Sequence, residues 1–225
     1  MLRFFRTRVL ARSLALAMVT LLTMSALASA RSSYHQTVAL NYHPQAAASG
    51  LSGPVGDGAT ATIVRRDGGL TWRLQTHGLR PGHAYTIWFV ALNAPGNCLV
   101  QPCSGPDIVT RHLITDAQVT YGGGHVGGGS GRATFAGSFQ AGPIAGWFEG
   151  GGLWDPTTAQ IQLVLNDHGP VIPGMTSEMI HTYRAGCTDA SLPGLFHAGA
   201  PAAIADGTPG PNACQLFQTA VFAQP

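Results

Sequence analysis

The stretch His83-Ala84-Tyr85-Thr86-Ile87-Trp88-Phe89-Val90-Ala91-Leu92-Asn93 decides the fold. It is apolar at odd and even positions alike, and successive side chains of an extended chain point to opposite faces. A strand with two apolar faces belongs in the middle of a sheet that is covered on both sides. Gly78-Leu79-Arg80-Pro81-Gly82 turns the chain into this segment, and Ala94-Pro95-Gly96-Asn97 stops it. Upstream, the β-branched run Thr60, Thr62, Ile63, Val64 ends at the turn Asp67-Gly68-Gly69. The segment after the turn, 70–75, alternates apolar and polar, with Leu70, Trp72 and Leu74 on the core face. Downstream, strands are expected at 117–121, 132–139, 145–149, 159–166, 178–183 and 216–222. In the last of these, Phe217, Thr219 and Val221 would share one face. No helical apolar period persists for more than about two turns. The pattern reads as an all-β fold, a single β-sandwich domain with long loops over residues 59–225. Residues 31–58, polar and rich in Gly and Ala, read as a loose N-terminal arm with a strand near 37–40.

The chain has 225 residues, 45% of them hydrophobic and only 10% charged, which suits one packed domain and excludes a disordered chain. Four of the 12 basic residues, Arg3, Arg6, Arg8 and Arg12, precede an apolar run at 14–22. Ala28-Ser29-Ala30 then supplies a small-x-small site, so residues 1–30 read as a secretory signal peptide. Its removal leaves eight basic and ten acidic residues, a net charge of −2. The mature chain then carries no electrostatic footprint for nucleic acid and no transmembrane segment after signal cleavage. A secreted or periplasmic location is expected.

Four cysteines in an exported chain read as disulfides, with Cys98–Cys103 and Cys187–Cys214 the favoured pairing of three. The first would close a short Pro-bounded loop. The second would tether the Pro-, Gly- and Ala-rich segment 188–213. No C-x-x-C pair is present to suggest structural zinc.

Several motifs carry possible chemistry. Seven glycines lie in 122–131, and Gly122-x-Gly124-x-x-Gly127 matches the dinucleotide fingerprint in form. That fingerprint needs a helix next, but the chain continues into the strand-like Ala133-Thr134-Phe135, so a bulged edge or hairpin is the better reading. A P-loop is excluded because the chain has no Lys. Among nine histidines, His125, His168 and His181 fall at or near expected strand ends and form the candidate metal set, for copper or zinc. Glu178 and His181 have E-x-x-H spacing, which joins the two groups on a helix and separates them on a strand. Asp167 and His168 would serve as an acid/base pair only if a turn made them converge. No G-x-S-x-G elbow occurs. Trp147 and Trp154 flank a Gly-rich turn and are the candidate carbohydrate-stacking pair.

Two resemblances add to this reading. Leu79-Arg80-Pro81-Gly82-His83-Ala84-Tyr85-Thr86-Ile87 resembles the entry to a strand of fibronectin type III and related immunoglobulin-like domains. That resemblance implies an immunoglobulin-like sandwich in which the Tyr85 hydroxyl bonds back to nearby backbone. A second set of residues is similar to a family of secreted bacterial proteins of unknown function: 81–88, 124–126 with 129–135, and 168–170 with 172–174. It implies an exported β domain and supplies no activity. The expected function is therefore a secreted, non-catalytic binding or cell-envelope module whose partner is an unknown extracellular or envelope ligand. A His-based metal protein and a carbohydrate-binding domain are the alternatives.

Overall fold

The computed structural model describes residues 33–197 and 206–224. The signal peptide read at 1–30 and part of the loop at 188–213 lie outside the described residues. In chain order the strands are β1 (Tyr34–Ala39), β2 (Asn41–Tyr42), β3 (Thr60–Arg66), β4 (Gly69–Thr76), β5 (His83–Leu92), β6 (Ala117–Val126), β7 (Ala133–Gln140), β8 (Gly142–Pro143), β9 (Gly152–Leu153), β10 (Gln160–Pro170) and β11 (Gln215–Phe222). They form a four-stranded sheet in the order β1-β3-β4-β7, a five-stranded sheet in the order β2-β11-β10-β5-β6, and the small pair β8-β9. Every strand pairing among the described residues is antiparallel.

The alternation in β4 does what its period dictates. Leu70, Trp72 and Leu74 are buried, and Thr71, Arg73 and Gln75 are exposed. They meet Tyr85, Ile87, Phe89 and Ala91 from β5 and Ile161, Leu163 and Leu165 from β10 in one apolar cluster between the two large sheets. Each such large side chain contributes about 1.5–3 kcal/mol on burial. The other face of β5, with Trp88, Val90 and Leu92, belongs to a second cluster on the far side of the five-stranded sheet. The central position and double burial of β5 follow from its composition. Both favoured disulfides are present, Cys98–Cys103 and Cys187–Cys214, with Cα–Cα distances of 5.3 and 5.4 Å.

The structure departs from the sequence reading in four places. The segment expected as a loose arm with one strand near 37–40 has that strand as β1, starting earlier at Tyr34 and pairing along β3, and adds β2, pairing with β11. Leu40 sits fully buried between them, and Thr37 and Thr62 share a hydroxyl bond of 3.1 Å. In β11 the inward residues are Phe217, Ala220 and Phe222, because a register shift at Leu165/Asn166 leaves Phe217 as an extra residue and reverses the parity beyond it. No strand forms at 145–149, where Gly146 runs against the backbone of Val119 too closely for any Cβ. No strand forms at 178–183 either; Thr176–Met179 is a helical turn that buries Met179.

The Gly-rich run is the bulged edge. Ile87 pairs with Gly123 and Trp88 with Tyr121, so Gly122 is the inserted residue of β6, the outer strand of its sheet. A Cβ on Gly122 would meet the Trp72 ring at 3.1 Å, and one on Gly124 would lie 1.8 Å from the Ile180 carbonyl oxygen. These glycines permit close approach rather than phosphate binding.

Candidate functional site

The outer face of the five-stranded sheet does not meet solvent directly. Trp88, Val90, Val119 and Val164 form the floor of a cavity of about 380 Å³. That size lies in the range of about 300–1,000 Å³ usual for small-molecule sites. Three irregular segments form its walls, and each is fixed by an identifiable device.

The first wall is the helix Gly105–Val109, which presents Pro106, Ile108 and Val109. Ser104 caps it: the Asp107 carboxylate accepts from the Ser104 N–H at 3.0 Å, the Ser104 hydroxyl at 3.1 Å and the Leu99 N–H at 2.9 Å. Burial works against the Asp107 charge, but these donors and Arg111 outweigh it and hold the carboxyl below its usual range. The Cys98–Cys103 bond closes the loop before the helix. From β10, Gln160 accepts from the Cys103 N–H at 3.0 Å and Gln162 donates to the Cys103 carbonyl at 2.9 Å.

The second wall carries Trp147. Buried Gln118 holds it: its amide donates to the carbonyls of Ile144 and Phe148, and its oxygen accepts from the N–H groups of Val119 and Phe148. The backbone N–H of Trp147 also donates to the Val119 carbonyl at 2.9 Å. The third wall comes from Tyr183, just before Cys187, and from Pro193 and Phe196 within the loop that Cys187–Cys214 closes. The aromatic rings interlock: Trp88–Trp147 centroids lie 5.3 Å apart, Trp147–Tyr183 4.8 Å, Trp147–Phe196 4.7 Å and Tyr183–Phe196 4.2 Å. At the remaining end stand His43, Gln45 and Leu216.

The expected metal set is not assembled. His125 pairs with Tyr85 and shares its face of the sheet, with its ring 6.2 Å from Phe135. His168 bonds Thr86, on the opposite face. His181 is exposed and bonds the Ser177 carbonyl at 2.6 Å. The physical reason is parity, since Tyr85 and Thr86 are neighbours on one strand and point apart. His168 does lie close to Cys187 and Cys214, but both sulfurs are spent in their disulfide. The described residues therefore supply no fitting donor set for copper or zinc at the proposed histidines. Glu178 is likewise engaged elsewhere, accepting from the N–H and hydroxyl of Thr208.

His168 is instead a buried strut beside the cavity floor, on the same face of the sheet as Trp88. Its Nδ1–H donates to the Ala185 carbonyl at 2.9 Å, and its Nε2 accepts from the Thr86 hydroxyl at 2.8 Å. The Thr86 oxygen in turn accepts from the Trp88 indole N–H at 2.9 Å, which fixes the ring of a cavity residue. Burial pulls the His168 pKa down to about 4, against weaker opposition from the Ala185 carbonyl and the Asp167 charge. Asp167 faces the other way, where it accepts from His83 at 2.9 Å and from the Gly169 N–H at 2.8 Å. The adjacent pair Asp167 and His168 thus does not converge. The expected Trp147–Trp154 platform does not form either: Trp147 is 9% exposed inside the aromatic cluster, whereas Trp154 is 43% exposed.

Sequence reasoning missed most of the cavity. Its residues come from many short segments spread between His43 and Leu216, and only the two-faced apolar character of β5 signalled that something must cover the outer face. The lining contains no Asp, Glu, Lys, Arg, Ser or Cys among the described residues, so it offers apolar contact and a few hydrogen bonds. No protein-family model, no curated protein and no solved structure matches the chain.

Proposed function

We propose that this protein is an exported, non-catalytic binding module with an immunoglobulin-like β-sandwich, and that its ligand is a small apolar molecule held in the aromatic-walled cavity. The observation that carries the reading is the cavity itself, a partly open cleft of about 380 Å³ lined mainly by aromatic and aliphatic side chains. The apolar walls of such a cleft stay in contact with water unless a ligand covers them. The two disulfides support an extracytoplasmic setting. Among the described residues no helix is long and apolar enough to cross a membrane. The immunoglobulin-like reading is supported by Tyr85, whose hydroxyl accepts from the Arg80 N–H at 2.8 Å across the turn before β5.

The neutral fluorophore N-phenyl-naphthylamine tests the proposal. Its emission is expected to rise saturably with the oxidised protein. Filling the cavity from either side, by Val164→Phe in β10 or Val109→Trp in the helix, should abolish the signal. An unsaturable response in the wild type, or an unchanged one in both variants with native melting curves, would refute the reading.

A further inference from the structure

The polar groups at the cavity define more than its size. His43 Nδ1 accepts from the Gln45 N–H at 3.2 Å. Burial lowers the His43 pKa, which favours the neutral ring. A neutral imidazole that accepts at Nδ1 carries its proton on Nε2, so its free nitrogen is a donor. The Gln45 side-chain oxygen is committed as well, accepting from the Leu216 N–H at 2.9 Å. That leaves the Gln45 amide NH₂ as a second donor at the same end.

The opposite end has the complementary character. Gln162 is only 7% exposed and spends its NH₂ on the Cys103 carbonyl at 2.9 Å. Its side-chain oxygen has no hydrogen-bond partner among the described residues, and the residue lines the cavity. That oxygen is not among the fully buried side-chain atoms without a partner, so it keeps accessible surface from which to meet a ligand donor. The two ends are well separated. Leu216 pairs with Asn166, four residues along β10 from Gln162, which is roughly 13 Å at about 3.3 Å per residue. Between them the floor is Val164 and Trp88, with Val90 level with Gln162. No described residue lining the cavity carries a formal charge to receive an ionic ligand.

We infer that the ligand is neutral and elongated, an apolar body with a hydrogen-bond acceptor that meets His43 and Gln45 and a donor that meets Gln162. This rests on the cavity being a ligand site. Hydroxyl groups satisfy both ends, because each offers a donor and an acceptor. A fatty carboxylate or an alkylammonium would place an unpaired charge against neutral amides and aromatic rings.

The test is displacement of N-phenyl-naphthylamine by four molecules with the same chain: decanol, α,ω-decanediol, decanoate and decyltrimethylammonium. In the wild type the two neutral molecules are expected to displace the probe at lower concentration than either ion. The diol should match or exceed decanol despite its greater solubility in water. Gln162→Leu and Gln45→Leu should each weaken the diol relative to decanol about fivefold, as expected for one lost hydrogen bond. Displacement led by decanoate or decyltrimethylammonium would overturn the inference. So would an unchanged diol-to-decanol ratio in both variants with native melting curves. If neither variant folds, the wild-type ranking alone decides. Saturable probe binding with the wrong ranking sinks this inference only, whereas absence of saturable binding sinks the cavity reading beneath it.

Discussion

His168 makes stability depend on pH in a way that can be isolated. Its imidazole is neutral in the fold and its pKa is pulled from 6.5 to about 4 by burial. In the unfolded chain it returns to about 6.5. As pH falls through 6.5 the unfolded state takes up a proton that the folded state refuses, so the fold loses stability. The loss continues until about pH 4, where the folded ring also protonates, and then levels off. The interval of about 2.5 pH units, at about 1.4 kcal/mol each, gives a total of about 3–4 kcal/mol. Urea unfolding followed by tryptophan fluorescence, repeated between pH 7.5 and pH 4, measures it in the wild type and in His168→Gln. His43, whose pKa burial also lowers, is present in both proteins and cancels in the difference. The groups around the ring, Thr86, Asn166 and the Ala185 carbonyl, do not titrate there. The variant is expected to be less stable at pH 7.5, since Thr86 and Ala185 lose their shared partner, and to decline less steeply toward pH 4. Parallel curves would show that His168 is not held neutral and would refute the strut.

Particular contacts set three further expected outcomes. Arg65 is fully buried and donates to the carbonyls of Pro156 and Ala159 at 2.8 and 2.7 Å, so Arg65→Met should cost about 2–4 kcal/mol in urea unfolding by stranding both acceptors. Gly124→Ala drives a Cβ into the Ile180 carbonyl and should destabilise by about 1–3 kcal/mol or more, whereas Gly128→Ala, with open space around it, should stay within about 0.5 kcal/mol in the same assay. Replacing both cysteines of Cys187–Cys214, which lie 27 residues apart, should cost about 3–4 kcal/mol, against about 2 kcal/mol for Cys98–Cys103, which lie 5 apart; calorimetry under matched conditions ranks the two.

The sheets were legible wherever burial imposes a simple period. β4 alternates because one face is wet, and β5 does not because neither is. The disulfide pairing was legible because the short Cys98–Cys103 loop and the distant Cys187–Cys214 pair divide the four thiols cleanly. Parity and coverage escaped the sequence. The register shift in β11 moves Ala220 and Phe222 to the face that unbroken alternation assigns to Thr219 and Val221. The histidine set failed for the same reason, since a strand-end position does not reveal which face a side chain takes. Trp147 looked exposed because it stands among glycines. Those glycines instead let its segment press onto the β6 backbone, where Gln118 holds it. The cavity was invisible because its polar ends, Gln45 and Gln162, are 117 residues apart and carry no motif.

Leu40 stands between a strand of one sheet and a strand of the other, so the chain changes layers within a single buried residue. A shortened version beginning at residue 59, the boundary that composition invites, would strip the borders of β3 and β11 together. Their unsatisfied amides and carbonyls would then recruit extended segments from neighbouring molecules. Trimming the first strands would therefore yield a self-associating fragment in place of a smaller monomer.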